Sequence, residues 1–581
     1  MRFPSVETLV VRTRDVISRF PWPMLAGVVA AAIAIAATVN GGHEEWARAA
    51  MVAALAIPLT IALTLFAEER GWDGRRAALL NLAGIALLAL FWAVWPGPDR
   101  KYESIRYFQL SASLHLLVAT LPLAGGLETN AFWQYNRRLF ENILRSFVFS
   151  MVLFLGLAIA LGALDQLFGV DIPSEVYGRL YLVIIFVVNT AIFLSDVPQG
   201  LGELSQDRSY PRVLKVFAQY ILTPIVFIYH ILLLAYLVKI VLGGEWPSGW
   251  IGWLVTSVAV AGLLGFLLVH PLREDPEEGW IRAYTRWFFI GLIPAALVLL
   301  VAFWKRVLPY GLTELRLLGV LLGFWLLAIS ISYTLRPRSG IRRIPVTLAA
   351  LLLVTLYGPL SVTSLSVASQ GRRLRQLVAS AAGNSEAARE ASSALRFLLE
   401  HGASSQIIAA IPASLPPVHW DSVADNRSRR DSVARLILAK AKLQYVPQYA
   451  AGREGYVYFS ADRREPVSLS GYDWMLEASV GSTSQIQVGQ ESLSVRFDTT
   501  SGTAKVSVGG DTIRFDLGQL AQRLVGDPVL SPHSVPAERL RLDALGERHR
   551  GRLALQHLDG SRRGDSVRVR GWSGQLFVGR R

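Results

Sequence analysis

SFVFSMVLFLGLAIALGALDQLF, residues Ser146–Phe168, is a run of 23 residues with a single charged side chain, Asp165. At 1.5 Å per residue it builds a helix of about 35 Å. A hydrocarbon core of about 30 Å needs about 20 mostly apolar residues, so the run predicts a bilayer-crossing helix. The pattern recurs on both sides of it, at Pro23–Val39, Ala49–Phe66, Ala77–Trp95, Tyr107–Leu127, Gly178–Val197, Val216–Leu242, Trp250–Leu268, Trp287–Phe303, Leu317–Leu335 and Ile344–Val367. One such run fits a buried soluble core. Eleven in succession predict an α-helical polytopic membrane bundle over residues 23–367, after an N-terminal cytoplasmic segment, 1–22. The first run is the shortest, and a cleaved signal peptide is its rival reading. Its Arg-bearing lead of about twenty residues is long for one.

Composition agrees. Of 581 residues 52% are hydrophobic and 18% charged, against about 25% charged in soluble domains. The absence of Cys excludes thiolate zinc sites, iron–sulfur clusters and a disulfide scaffold. The net charge of +14 belongs first to cytoplasmic loops in such a chain, not to a nucleic-acid footprint.

Orientation follows from the loops. With the N-terminus inside, Lys and Arg number twenty on the inner segments: Arg2, Arg12, Arg14 and Arg19; Arg70, Arg75 and Arg76; Arg137, Arg138 and Arg145; Arg208, Arg212 and Lys215; Arg273, Arg282 and Arg286; Arg336, Arg338, Arg342 and Arg343. The outer loops hold eight: Arg48, Arg100, Lys101, Arg106, Arg179, Lys305, Arg306 and Arg316. This bias predicts a cytoplasmic N-terminus and, with an odd number of spans, an extracytoplasmic C-terminal part. Trp95, Trp246, Trp250, Trp280, Trp287 and Trp304 lie at run ends, where indoles favour the headgroup zone.

From about residue 368 the composition changes: 29 basic and 21 acidic residues, and no run long enough to span. Residues 368–450 read as a helical connector, with helical periodicity over Ala387–Leu399 and Asp431–Leu443, a start signal at Asn384-Ser385 and a stop at His401-Gly402. Residues 451–581 alternate with period two. Leu493, Val495 and Phe497 share one face, and Val506 and Val508 meet Ile513 and Phe515 across Gly509-Gly510, a hairpin signal. A short helix over Leu517–Leu524 and alternating stretches at Leu553–Leu558, Val567–Arg570 and Leu576–Val578 complete an α+β domain with antiparallel β-sheet.

Catalytic signatures are missing: no phosphate-cradling loop, no dinucleotide fingerprint, no His-Glu-x-x-His and no Gly-x-Ser-x-Gly. His549 and His557 are too weakly associated to make a metal site, so no cofactor is expected. Arg548, Arg550, Arg552, Arg562, Arg563, Arg568 and Arg570 read as a solvated basic surface or as contacts for anionic headgroups or envelope polymers. Polar groups within the spans are costly and face partners or water. Asp165 and Lys239 lie near the outer ends of their runs, at depths that let them pair. Asn189 and His230 fall at matching mid-membrane depth, as a polar path or as interhelical hydrogen bonds that fix packing. Pro224 and Pro294 mark kink positions.

Asn130-Ala131-Phe132-Trp133-Gln134-Tyr135-Asn136-Arg137-Arg138-Leu139 resembles a motif of bacterial multi-pass membrane proteins grouped as the domain of unknown function 4153 family. Tyr210-Pro211 with Leu214-Lys215-Val216-Phe217 and Gln219-Tyr220, Glu245-Trp246-Pro247 with Gly249-Trp250, Trp280-Ile281-Arg282 with Trp287-Phe288, and Tyr310-Gly311-Leu312-Thr313-Glu314 continue the likeness. Ser366-Val367-Ala368-Ser369-Gln370 with Arg373-Leu374, and Gly471-Tyr472-Asp473, carry it into the tail. The resemblance implies an inner-membrane protein with a large extracytoplasmic tail and supplies no catalytic residues. In the first motif, Trp133 and Tyr135 read as anchors of an interfacial elbow, with Asn130 and Asn136 beside them and Arg137 and Arg138 on lipid phosphates; a functional site is the equal alternative.

Three function classes follow: a structural, sensing or assembly protein with an extracytoplasmic binding module, a secondary transporter, or a membrane enzyme acting on lipid-linked substrates. The module's size favours the first. Its expected partners are the lipid bilayer and an envelope protein or polymer, with no nucleic acid.

Overall fold

The computed structural model describes residues 14–39, 44–98, 101–125, 128–243, 250–380, 385–411, 420–425, 427–446, 455–461, 469–480, 486–488, 491–499, 501–527, 535–563 and 566–581. Arg2, Arg12, Arg100, Trp246 and Asn384, and the side chains of Lys101 and Trp250, lie outside them. Two compact units emerge, one of residues 1–373 with 400–407 and one of 374–399 with 408–581.

The first unit is helical: α1 (Pro21–Val39), α2 (Glu44–Glu69), α3 (Gly74–Val94), α4 (Lys101–Thr120), α5 (Thr129–Phe168), α6 (Ser174–Ser195), α7 (Arg212–Gly243), α8 (Trp250–Val269), α9 (Gly279–Tyr310), α10 (Glu314–Leu335), α11 (Arg343–Val354) and α12 (Val362–Ser380), of which 374–380 belongs with the second unit. Local chemistry fixes the ends. The Asp73 carboxylate caps α3 by accepting from the Arg76 N–H at 2.8 Å, and left-handed Gly169 and Gly311 close α5 and α9. A π-helical turn at Phe217–Leu222 precedes Pro224 in α7, where the missing proline N–H loosens the helical ladder.

Among the described residues nine helices are long and apolar enough to cross a membrane, two short of the eleven read from the sequence. The exceptions are α4 and α11, and each has a physical reason. Helix α4 buries Gln109, Ser113 and Thr120 against protein, and a helix shielded by its neighbours needs no apolar surface. Helix α11 has 12 residues, about 18 Å; the expected run to Val367 breaks over 355–361, where Gly358 is left-handed and Pro359 follows. The two pack together, the Gln109 amide donating to the Leu352 carbonyl at 3.1 Å and to Thr355 Oγ1 at 2.8 Å.

Hydrogen bonds sort the loops of this unit into two sets. One end joins Arg19 to Glu68 and to the carbonyls of Val197 and Pro198, Asn130 to 204–207, Lys215 to Glu278 and Arg273 to Pro337. The other joins Arg48 to Trp92 and Trp95 and Gln370 to Tyr310 and Leu312. Helix α4 runs between the same two ends as its neighbours: Val118 and Ala119 meet the first set, Glu103 the second. Trp280, Trp287 and Trp304 are exposed, as headgroup indoles require, whereas Trp95 is fully buried, donating to the Glu103 carbonyl.

The second unit holds α13 (Ser385–Glu400), α14 (Ser404–Ala410), α15 (Trp420–Asp425), α16 (Arg427–Lys440) and α17 (Leu517–Gly526), of which 400–407 belongs with the first. Its strands are β1 (Gly455–Ser460), β2 (Trp474–Ser479), β3 (Ile486–Val488), β4 (Glu491–Asp498), β5 (Thr503–Val508), β6 (Asp511–Asp516), β7 (Arg541–Leu545), β8 (His549–Arg563) and β9 (Ser566–Arg580). One sheet runs β1-β8-β9-β2 with β7 also on β8, the other β3-β4-β5-β6; all of these pairs are antiparallel. Leu493, Val495, Val506, Ile513 and Phe515 of one sheet share a core with Leu553, Leu555, Leu558, Trp572 and Leu576 of the other. A side chain on Gly551 would meet Phe515 at 2.8 Å, so the sheets press together as a sandwich. The expected hairpin forms at Gly509-Gly510, both left-handed.

Candidate functional site

The motif at the start of α5 is a clasp. A 3₁₀ turn at Leu201–Ser205 leaves its last carbonyls without helical partners. The two N–H groups of Asn130 reach three of the carbonyls there, those of Leu204, Ser205 and Asp207, at 3.2, 2.9 and 2.8 Å. One turn on, Gln134 donates to the carbonyls of Asp207 and Ser209 at 2.9 and 3.1 Å. Trp133 stacks on Tyr210 with centroids 5.3 Å apart. The Trp133 indole donates to the Leu267 carbonyl at 2.7 Å, and the Tyr210 hydroxyl to that of Leu268 at 3.0 Å. Tyr135 donates to the Val118 carbonyl and Asn136 to that of Ala119.

Charge completes it. Arg138 meets Asp207 at 3.0 Å, and Arg137 meets Glu141 at 3.1 Å and Asp207 at 3.7 Å. Burial works against the Asp207 charge, but hydrogen bonds from Ser209 and the Arg138 guanidinium outweigh it and hold the carboxyl below its ordinary value. Burial pushes the Tyr210 phenol up, more than the nearby Arg137 lowers it. Trp133 and Tyr135 are buried, as is Arg137, so these three bind protein instead of facing headgroups. Arg138, 36% exposed, is the member that reaches the surface.

The intramembrane residues divide. Asp165 is half-buried and Lys239 exposed, and no ion pair joins them among the described residues. Their runs end at similar depth, but Lys239 sits on a face of α7 turned away from the buried one that carries Leu237 and Ile240. Asn189 accepts from Ser150 at 3.3 Å, just after a π-helical turn at Ile184–Val188. His230 is elsewhere: its buried ring lies 5.4 Å from that of Phe288 and against Gly291, and neither ring nitrogen has a partner among the described residues. Thr223 and Tyr284 are also buried with unpartnered hydroxyls. Asn189 and His230 therefore form no shared site.

A cluster at the other end was missed in the sequence, where Tyr310–Glu314 and Ser366–Leu374 stood only as separate motif stretches. Gln370 donates to the carbonyls of Tyr310 and Leu312 at 3.1 and 2.8 Å, and Ser369 accepts from the Leu312 N–H. Glu314 meets His401 at 2.6 Å, both side chains buried, and Tyr102 stacks on the imidazole at 4.1 Å. In the β unit, Asp511 accepts from the N–H groups of Glu547, Arg548 and His549, and His549 also faces Glu491 at 3.2 Å. Burial raises the Asp511 carboxyl, but those three N–H groups and the imidazole prevail and hold it far below the usual carboxylate range. No group of three or more His, Asp or Glu among the described residues could hold a metal ion. Both clusters can position chain segments; neither assembles a nucleophile with its base.

The family described as a domain of unknown function (DUF4153) matches residues 24–382. A curated relative, the uncharacterised protein PM1469 of Pasteurella multocida (strain Pm70), is 24% identical over 323 residues, 55% of this chain and 52% of the relative. The chain thus spans about half the length of that relative. No solved structure matches.

Proposed function

This chain belongs to the DUF4153 family, and from that premise we propose that it is a multi-pass protein of the bacterial inner membrane whose helical bundle presents the C-terminal β unit outside the cytoplasm, as a binding module for an envelope protein or polymer. The observation that carries this reading is the second unit's own two-sheet core, distinct from the core of the bundle. Orientation rests on the end of the bundle that gathers Arg19, Arg137, Arg138, Arg273 and the arginines of 336–343. By the positive-inside bias that end faces the cytoplasm, and the chain leaves the bundle after Tyr310 and Gln370 have met at the opposite one.

The test is genetic and uses the full chain. Loss of the gene and deletion of 408–581 should give the same envelope defect, read as detergent and antibiotic sensitivity, while His230→Leu complements fully. A second reading, a secondary transporter, is favoured by the unpartnered His230 ring. It predicts a saturable proton flux in proteoliposomes that His230→Leu abolishes and deletion of 408–581 spares. That result would replace the module reading.

A further inference from the structure

A cavity of about 480 Å³ opens at the arginine-rich end of the bundle. It is lined by Thr129 and Phe132 at the start of α5 and by Arg342, Arg343, Val346 and Thr347 at the start of α11. The chain entering it, Arg336-Pro337-Arg338-Ser339-Gly340-Ile341-Arg342-Arg343, carries four arginines and no acid. Arg343 donates to the Ser339 hydroxyl at 3.3 Å. Among the described residues no carboxylate pairs with Arg342 or Arg343, and none lines the cavity. This sets them apart from Arg19, Arg137, Arg138 and Lys215 at the same end, each of which meets Glu or Asp. Two guanidinium groups and the Thr129 hydroxyl around a void make a pocket for a phosphate group. The Thr347 hydroxyl on its wall is engaged, donating to the Arg343 carbonyl at 2.6 Å and accepting from the Trp325 indole.

The surface beyond the cavity narrows the source of that phosphate. Val346, Ala350, Leu353 and Val354 lie on one face of α11 and are all exposed. They form an apolar stripe that starts at the cavity and runs the length of the helix, about 18 Å. That is about the depth of one leaflet of a hydrocarbon core about 30 Å thick. We propose that this cavity is a binding site for an anionic phospholipid, its phosphate between Arg342 and Arg343 and an acyl chain along the stripe. A headgroup site fits a cavity at the charged end of an apolar stripe, where a site for free phosphate alone would have no use for the stripe.

The experiment uses the full-length protein in neutral maltoside detergent, with the unfolding midpoint followed against added dioleoylphosphatidylglycerol, dioleoylphosphatidylcholine or inorganic phosphate. Phosphatidylglycerol should raise the midpoint saturably, and the other two should not. In Arg342→Gln/Arg343→Gln the apparent affinity should fall at least tenfold. Arg336→Gln/Arg338→Gln, which removes the same charge from the same loop away from the cavity, should bind within twofold of the parent. Should the first double variant not fold, Gly340→Leu replaces it. A Cβ there meets only Thr129 Oγ1, at 3.8 Å, so the added side chain occludes the cavity without changing charge and should weaken binding equally. Equal effects of phosphatidylcholine, equal loss in both arginine pairs, or undiminished binding in Gly340→Leu would overturn the proposal. Stabilisation by inorganic phosphate as strong as by the lipid would assign the cavity to the free anion and overturn the lipid.

Discussion

Replacing Asn130 by Ala should loosen the loop 201–210 more than Arg138→Gln does, although Arg138 carries the charge. The Asn130 amide has two N–H groups, shared among three carbonyls at 2.8–3.2 Å in a half-buried position. Each such bond contributes about 1 kcal/mol net, so the truncation costs about 2 kcal/mol. The Arg138–Asp207 pair is 36% and 21% exposed, which places it among ion pairs contributing about 0.2–1 kcal/mol. Asp207 also keeps the Ser209 N–H at 2.9 Å and Arg137 at 3.7 Å when Arg138 is gone. Hydrogen exchange of the loop amides in detergent reads the difference directly. At about 1.4 kcal/mol per tenfold, Asn130→Ala should speed local exchange about thirtyfold, and Arg138→Gln no more than about fivefold. If Arg138→Gln equals or exceeds Asn130→Ala, the motif is held by charge and the clasp reasoning fails. No change in either variant would refute the carbonyl contacts themselves.

Three further outcomes follow from particular residues. A reporter active only outside the cytoplasm should work when fused after Ser380 and be silent near Arg208; the reverse pattern would invert the orientation. Asp511 titrates near pH 3.9 in an unfolded chain and far lower when folded, so its stabilisation is intact above about pH 4 and is lost as pH falls towards the folded value. Exchange of the β6 and β8 amides should therefore accelerate below pH 4 in the parent, and Asp511→Asn should show the faster exchange already at pH 7; an unchanged acid profile in the variant would exclude Asp511 as the source. In Gly291→Ala the new methyl falls on the His230 imidazole, an overpacking cost of about 1–3 kcal/mol. Adding His230→Ala should recover part of the lost midpoint, and strictly additive losses would show that the ring moves away freely.

The apolar runs were legible because lipid-facing helices must be apolar on their outer surface: only 6% of the apolar window of α5 is buried. The same logic separates α4, which was read as the run Tyr107–Leu127: its Gln109 and Ser113 are buried against protein, so it is less apolar than a helix that faces lipid. In the β unit the hairpin at Gly509-Gly510 was legible because two consecutive left-handed residues demand glycine. The long pair β8 and β9 read as three separate stretches because register shifts at Leu555/His557 and Asp559/Gly560 break the period-two pattern. The first motif was visible as a group of residues, but its role was not. Asn130, Gln134 and Trp133 donate to backbone carbonyls of 204–209 and 267, and any sequence supplies a carbonyl, so no partner residue type marks the contact. Glu314 and His401 are 87 positions apart; no local spacing rule reaches across that distance.

Both ends of the bundle are joined by the same device, and this bears on function. At one end Asn130, Gln134, Trp133 and Tyr210 hold carbonyls of neighbouring segments; at the other, Gln370 and Arg316 hold those of Tyr310, Gly311 and Leu312. Alternating access rocks one group of helices against another around a central site and opens each end in turn. Opening the first end would break at least four carbonyl contacts at about 1 kcal/mol each and separate the stacked Trp133 and Tyr210 rings, worth about a further 0.5–1.5 kcal/mol. An equilibrium between two access states works best when their free energies lie within a few kcal/mol. A transporter built on this bundle would therefore need a substrate whose binding differs between the two states by about 5 kcal/mol, and among the described residues the membrane interior offers His230, Thr223 and Tyr284 as unpartnered groups to supply it. A rigid frame needs no such ligand. Fixed ends are what the proposed presenting role asks of a bundle, and what transport would have to undo at each turnover.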